Sequence, residues 1–276
     1  MIKFNIVKPE ENIKSEIQEK IDNLNKPKGS LGMLEDIALK ICMIQHTTSP
    51  SLSHPCHLLL GADHGIEKEG VSLSPRDVTW QQMINFTHGG GGVNMFCRQH
   101  GFDLRIVDLG VDHDLSEYKE IRNMKIAYGT KDFLYEDAMT AEEMEIALQN
   151  GAKLADECIE DGCNVLCIGE MGIANTSPSS IWLHIFGKVP LEECIGAGSG
   201  VGGAQLQHKF DVLKKSVERY ARLYDTDDAY SIIRNFGGFE MVGAIGAMLR
   251  AAEKKVTILV DGFIMSACML AASKLY

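Results

Sequence analysis

Four short runs constrain the fold more than anything else in this 276-residue chain: Cys56-His57-Leu58-Leu59-Leu60-Gly61-Ala62-Asp63, Leu104-Arg105-Ile106-Val107-Asp108-Leu109-Gly110, Asn164-Val165-Leu166-Cys167-Ile168-Gly169-Glu170 and Val256-Thr257-Ile258-Leu259-Val260-Asp261-Gly262. Each is a nearly unbroken apolar stretch that reaches an acidic residue close to a glycine. Continuous rather than alternating apolarity belongs to strands covered on both faces, hence to a parallel sheet, and parallel strands need helical crossovers between them. Helix signals fill the gaps. Ser74-Pro75 opens one helix through Val78, Met83 and Phe86. Thr140-Ala141-Glu142-Glu143 is a capping box ahead of Met144, Ala147, Leu148, Ala152 and Ala155, and Gly238-Phe239-Glu240-Met241 begins a third helix. The predicted class is α/β, a three-layer, mostly parallel sheet flanked by helices, spanning residues 51–276. The first 50 residues read differently: an amphipathic helix over 13–24, Lys26-Pro27-Lys28-Gly29-Ser30, then a second helix to about Gln45. They are expected to form a small N-terminal helical subdomain.

Charge narrows the partners. With 27 Lys plus Arg against 38 Asp plus Glu, the net charge is −11, the wrong balance for a nucleic-acid backbone. No apolar run approaches the roughly 18 to 20 residues of a membrane span, and Met1-Ile2-Lys3-Phe4-Asn5 does not resemble a secretory signal. The eight cysteines are scattered without a C-x-x-C pair, which fits reduced, buried thiols in a cytoplasmic protein better than zinc ligation.

In open parallel sheets ligands bind beyond the carboxyl ends of the strands, so Asp63, Asp108, Glu170 and Asp261 are expected along one polar rim. Two loops there suit a phosphate. Gly196-Ala197-Gly198-Ser199-Gly200-Val201-Gly202-Gly203 has five glycines in eight residues, which lets backbone amides turn toward an anion, and Lys209 follows at a distance that could place its ammonium on the same charge. It is not a Walker loop. Gly169-Glu170-Met171-Gly172-Ile173-Ala174-Asn175-Thr176 leads from a strand toward a helix start, where exposed N–H groups hold anions; the plainer alternative is a tight turn capped by Asn175 or Thr176. Trp80, Met83, Phe86 and Met95 read as core or as a slot for a flat aromatic ligand, with Gln81 as a polar contact. Asp63, His64, Asp108 and His113 offer another class of function, a metal-dependent phosphohydrolase.

Several of these stretches, in order along nearly the whole chain, resemble the nicotinate-nucleotide:dimethylbenzimidazole phosphoribosyltransferases of cobalamin biosynthesis. They are Lys26-Pro27-Lys28-Gly29-Ser30-Leu31-Gly32, Ala62-Asp63-His64-Gly65-Ile66 with Glu69-Gly70-Val71-Ser72, Asn85-Phe86 with the glycines at 89–92, Val107-Asp108-Leu109-Gly110-Val111, the 169–176 loop, and Gly237-Gly238-Phe239-Glu240 with Val260-Asp261-Gly262-Phe263. The resemblance implies transfer of phosphoribose from nicotinate mononucleotide to 5,6-dimethylbenzimidazole or a similar base, with no cofactor or metal, by a homodimer. It further implies that Glu170, Met171, Gly172, Ile173, Asn175 and Thr176, with Gly198, Ser199, Gly200 and Lys209, hold the phosphate and ribose. Gln81 would line the benzimidazole pocket and Asp261 would contact the ribose, with Glu170 and Asp261 as electrostatic stabilisers. The family's general base is a glutamate in a C-terminal L-G-E-G-[TS]-G-like segment. No such segment occurs up to Tyr276, which predicts weak turnover with nucleotide binding retained, loosely packed N-terminal helices and, as an alternative, a non-catalytic subunit.

Overall fold

The structure, a computed structural model, describes residues 2–196, 202–224 and 227–276. After an extended start come helices α1 (Lys14–Asp22) and α2 (Met33–Gln45), then β1 (Cys56–Ala62), α3 (Asp77–Thr87), α4 (Gly92–His100), β2 (Asp103–Gly110) and β3 (Ile121–Asn123). The chain continues through α5 (Ala141–Glu160), β4 (Val165–Met171), α6 (Thr176–Gly187), the short α7 (Leu191–Cys194) and α8 (Ala204–Leu223). It ends with α9 (Ala229–Phe236), α10 (Phe239–Glu253), β5 (Thr257–Leu259) and α11 (Gly262–Leu275).

Among the described residues the strands form one five-stranded sheet in the order β3-β2-β1-β4-β5, parallel at every pairing. The four apolar runs supply β1, β2, β4 and β5. Leu58, Leu60, Val107, Leu109, Leu166 and Ile168 turn to one face, where α5 and α10 cover them, while Leu59 and Ile106 turn to the other with Met83 of α3. The face under α10 is therefore dry, and the other is covered at Leu59 and Ile106 while β4 is only partly buried from Gly169 on.

The edges depart from expectation. β3 carries only one inward apolar residue, Ile121, and leaves no run to read. β5 spans three residues rather than the whole 256–262 run, because it pairs only with β4 and the chain turns at Asp261 into α11. The helix expected from Ser74-Pro75 starts at Asp77, after a turn in which Val78 N–H donates to Pro75 O at 3.1 Å. The capping box forms as read: Thr140 Oγ1 accepts from Glu143 N–H at 3.1 Å, and Glu143 Oε2 accepts from Thr140 N–H at 2.7 Å.

The first 50 residues divide. Phe4 is buried in the main core, edge-on to Tyr276 at 5.5 Å, so residues 2–9 pack with the α/β layers. The helical unit proposed for this region reduces to α1 and α2 around Ile17, Ile21 and Cys42. Leu31, Met33, Leu34 and Ile37 remain exposed on it.

One contact sets the thickness of the covered layer. A Cβ on Gly151 of α5 would lie 1.8 Å from Gly243 O, and one on Gly246 of α10 would lie 2.1 Å from Leu148 O. The two helices touch backbone to backbone, and no side chain fits between them. Gly246→Ala or Gly151→Ala should lower the unfolding free energy by about 3 kcal/mol, since overpacking there must push a helix off the sheet. Gly92→Ala, with nothing within 4 Å of its Cβ, should stay within about 0.5 kcal/mol in the same denaturant titration.

Candidate active site

Strand register brings the site residues together. His57 pairs with Cys167 and Leu59 with Gly169, while Cys167 pairs with Leu259 across β5, so these positions lie level across the sheet. Over them lies a cavity of about 400 Å³ lined by His57, Leu59, Phe86, Val93, Glu170, Thr176, Asp261, Phe263 and Met265, among others. It runs from His57 near the start of β1 to Glu170 at the carboxyl end of β4. A second hollow of about 490 Å³ continues it along α4 and shares His57, Val93 and Asp261.

Behind Thr176, which lines the cavity, stands a cation. Lys209, on α8, is 1% exposed and its Nζ donates to Thr176 Oγ1 at 2.9 Å, at the first residue of α6. Burial pushes its ammonium down to about 8, and none of the described carboxylates pairs with it. A desolvated cation beside the N–H groups of a helix start is a receptor for an oxyanion. Among the described residues only the Thr176 hydroxyl meets that charge.

Beside it is a poised acid. Burial first, then the nearby Glu240, pushes the Glu170 carboxyl up to about 7, against the opposing pull of the Asn175 amide and His64. The amide of Asn175 donates to Glu170 Oε2. Ile173 N–H donates to Thr79 Oγ1 at 3.1 Å, which ties the β4–α6 turn to α3. At the far side, burial pushes His57 down to about 4 although Asp261 works the other way.

The candidate residues thus separate into groups. Glu170, Thr176 and Asp261 line the cavity, and Lys209 is joined to it through Thr176. Met171, Gly172, Ile173 and Asn175 form the turn that carries Glu170 and Thr176 without lining the cavity themselves. Gln81 is exposed on α3 and does not line it, because that helix turns Thr79 and Met83 inward and leaves position 81 between them outside. Gly198, Ser199 and Gly200 fall outside the described residues.

The expected four-acid rim also splits. Asp63 Oδ2 accepts from Asp112 N–H at 2.7 Å, and Asp108 Oδ1 accepts from the N–H groups of Gly110 and Val111 at 3.0 and 2.9 Å. Both carboxylates shape turns, and Lys125 pairs with Asp108 at 3.1 Å. This removes the metal-dependent phosphohydrolase: His64 bonds Glu240, His113 stacks on Trp80 at 4.3 Å, and no group of three or more potential ligands among the described residues could hold a metal. Glu240 is the site residue that sequence reasoning missed. Its signals were the Gly237-Gly238-Phe239-Glu240 stretch and an acid within the otherwise apolar run 239–249.

A parallel sheet with a buried lysine at a helix start and a titrating carboxyl across a cavity defines a protein built to hold a phosphorylated small molecule. A family model described as "Phosphoribosyltransferase" matches residues 6–276. The nicotinate-nucleotide–dimethylbenzimidazole phosphoribosyltransferase of Bacteroides fragilis is 55% identical over 273 residues, 99% of this chain and 78% of that protein. The protein of the same name from Phocaeicola vulgatus is 56% identical over 276 residues, covering 100% and 79%. The crystal structure of CobT from Thermus thermophilus superposes with a TM-score of 0.90 at 32% identity, covering 95% of this chain and 78% of that one. This chain belongs to the nicotinate-nucleotide:dimethylbenzimidazole phosphoribosyltransferase family.

Lys209 also makes a stability signature. Its folded pKa lies below its unfolded value, so between about 8 and 10.5 the unfolded chain holds more protons and stability rises with pH. Lys209→Met should raise the unfolding free energy at pH 7 by roughly 2–3 kcal/mol, with the gain vanishing as the pH approaches about 10.5, followed by chemical denaturation across pH.

Proposed function

We propose that this chain transfers phosphoribose from nicotinate mononucleotide to 5,6-dimethylbenzimidazole or a similar base, yielding an α-ribazole phosphate and nicotinate. The observation that carries this is Lys209, a buried cation with a hydroxyl but no carboxylate partner among the described residues, bonded to Thr176 at the α6 start, which shares a cavity with Glu170. The names of the relatives supply the substrates. Lys209, Thr176 and the amides of the α6 start take the 5′-phosphate, with Gly198, Ser199 and Gly200 as further contacts. Asp261 faces the ribose, where its charge stabilises the positive character that builds at C1′ as nicotinate departs. Phe86, Val93, Phe263 and Met265 supply apolar walls for flat rings.

The step balances within the two substrates. A benzimidazole nitrogen lone pair forms the new bond to C1′ while the bond from C1′ to the nicotinate nitrogen breaks. That electron pair leaves with nicotinate, neutralising its ring cation. The acceptor's N–H proton then needs a base. Among the cavity carboxyls Glu170, at about 7, is matched to accept it near neutral pH. Holding both rings against C1′ supplies the rest of the acceleration.

Nicotinate release should depend on both substrates. It should rise with pH through about 7 as Glu170 ionises and fall through about 8 as Lys209 discharges, a narrow bell in kcat/KM. Glu170→Gln should cut kcat about 100-fold and erase the acid limb. Absence of nucleotide binding by calorimetry would sink the proposal.

The same proposal includes a cytoplasmic homodimer. Its support is the set of eight free cysteines and the exposed Phe96, Leu259, Val260 and Phe263 around the two hollows. Sedimentation should give twice the 30.4 kDa chain mass, and a monomer would contradict it.

A further inference from the structure

Directly behind the β4–α6 turn, His64 Nε2 and Glu240 Oε1 lie 2.6 Å apart, at 1% and 0% exposure. The pair presses on backbone from two sides. A Cβ on Gly172 would come within 3.0 Å of Glu240 Oε1 and 3.1 Å of His64 Nε2, and one on Gly238 within 2.2 Å of His64 Cε1. Glu240 lies in the first turn of α10, where the helix end favours a negative charge. Burial works against a charged His64, but the charge and hydrogen bond of Glu240, with Asp63 and Glu170 behind them, outweigh it and raise its pKa. His64 Nδ1 and Glu240 Oε2 have no hydrogen-bond partner among the described residues.

As a source of stability the pair is a poor choice, since apolar residues of similar volume usually serve a core at least as well. Its neighbour gives it a purpose. Glu170 is raised in part by Glu240 and lowered in part by His64, and Gly172, against which the pair packs, lies two residues beyond Glu170 in the same turn.

We propose that His64 and Glu240 are positioning residues for Glu170: locked to each other behind the β4–α6 turn, they fix where its carboxyl stands and which charges surround it. They touch no substrate, and their effect on turnover rests on the role proposed for Glu170 in the transfer. The other groups around Glu170 are the Asn175 amide from its own turn, Cys268 of α11, His57 of β1 and Asp261 before α11 on the cavity wall, and Lys209 of α8 through Thr176. Of these surroundings, Glu240 and His64 bring charges of opposite sign from two elements, α10 and the segment after β1, on the turn's inner side.

The test reads Glu170 without turnover. In the full chain labelled with ¹³C at glutamate side-chain carboxyls, with the Glu170 signal assigned by its loss in Glu170→Gln, the midpoint should fall by roughly one pH unit in Glu240→Gln. The acid limb of kcat/KM should fall with it, while KM for nicotinate mononucleotide stays within about twofold, because Lys209 and Thr176 are untouched. A folded Glu240→Gln chain with the Glu170 midpoint unmoved overturns the proposal. Should that variant not fold, the reverse measurement decides, since coupling between two groups is reciprocal. In Glu170→Gln the His64 imidazole midpoint should drop, and an unchanged value overturns the proposal equally. A Glu170 midpoint that shifts while the rate profile does not follow upholds the positioning and refutes Glu170 as the proton acceptor.

Discussion

β1 is the strand on which the rest of the molecule hangs. It is hydrogen-bonded to β2 on one side and β4 on the other, and it is apolar on both faces. A strand in that position has no water to satisfy its amides, so its register is kept with both neighbours up to Gly61, where one shift against β2 sets Ala62 level with Gly110. That register sets Leu60 level with Glu170 and Gly61 level with Asp108. The carboxyl ends of three strands are thereby brought to one height, and their connecting turns are forced into the same small volume.

Within that volume charge is organised by what it lacks. Asp108 is held by backbone N–H groups and by Lys125, and Asp63 accepts a backbone N–H at Oδ2; both hold turns closed. Lys209 is left with a hydroxyl, and Glu170 with an amide and a neighbouring carboxylate. Groups of the first kind make the fold; groups of the second kind are the ones the proposed function assigns to a ligand. The same distinction separates catalytic from structural acids at strand ends that look alike in sequence.

Much of the fold was legible because buried parallel strands need unbroken apolar runs, and β1, β2 and β4 obey this over their length. The three-residue β3 and β5 do not, since an edge with a single neighbour needs no such run. Around the cavity, the strand end carrying Glu170 and the turn after it could be placed, because they continue a buried apolar run. The side of α3 on which Gln81 stands could not be read, because the rotation of that helix depends on which of its faces meets Leu59 and Gly61, a tertiary fact. The pairing of Glu240 was invisible for a related reason: its partner His64 lies 176 residues away, and no local pattern marks such a pair.

The His113–Trp80 stack has a practical consequence for following this protein in solution. The chain has two tryptophans, and Trp182 is sealed in the core with 0% exposure. Trp80 lies half-buried on α3, one residue from the Thr79 hydroxyl that grips the turn bearing Glu170. An intrinsic emission change on adding a small molecule therefore has a local origin, and the chain carries its own optical gauge of how that helix and turn respond.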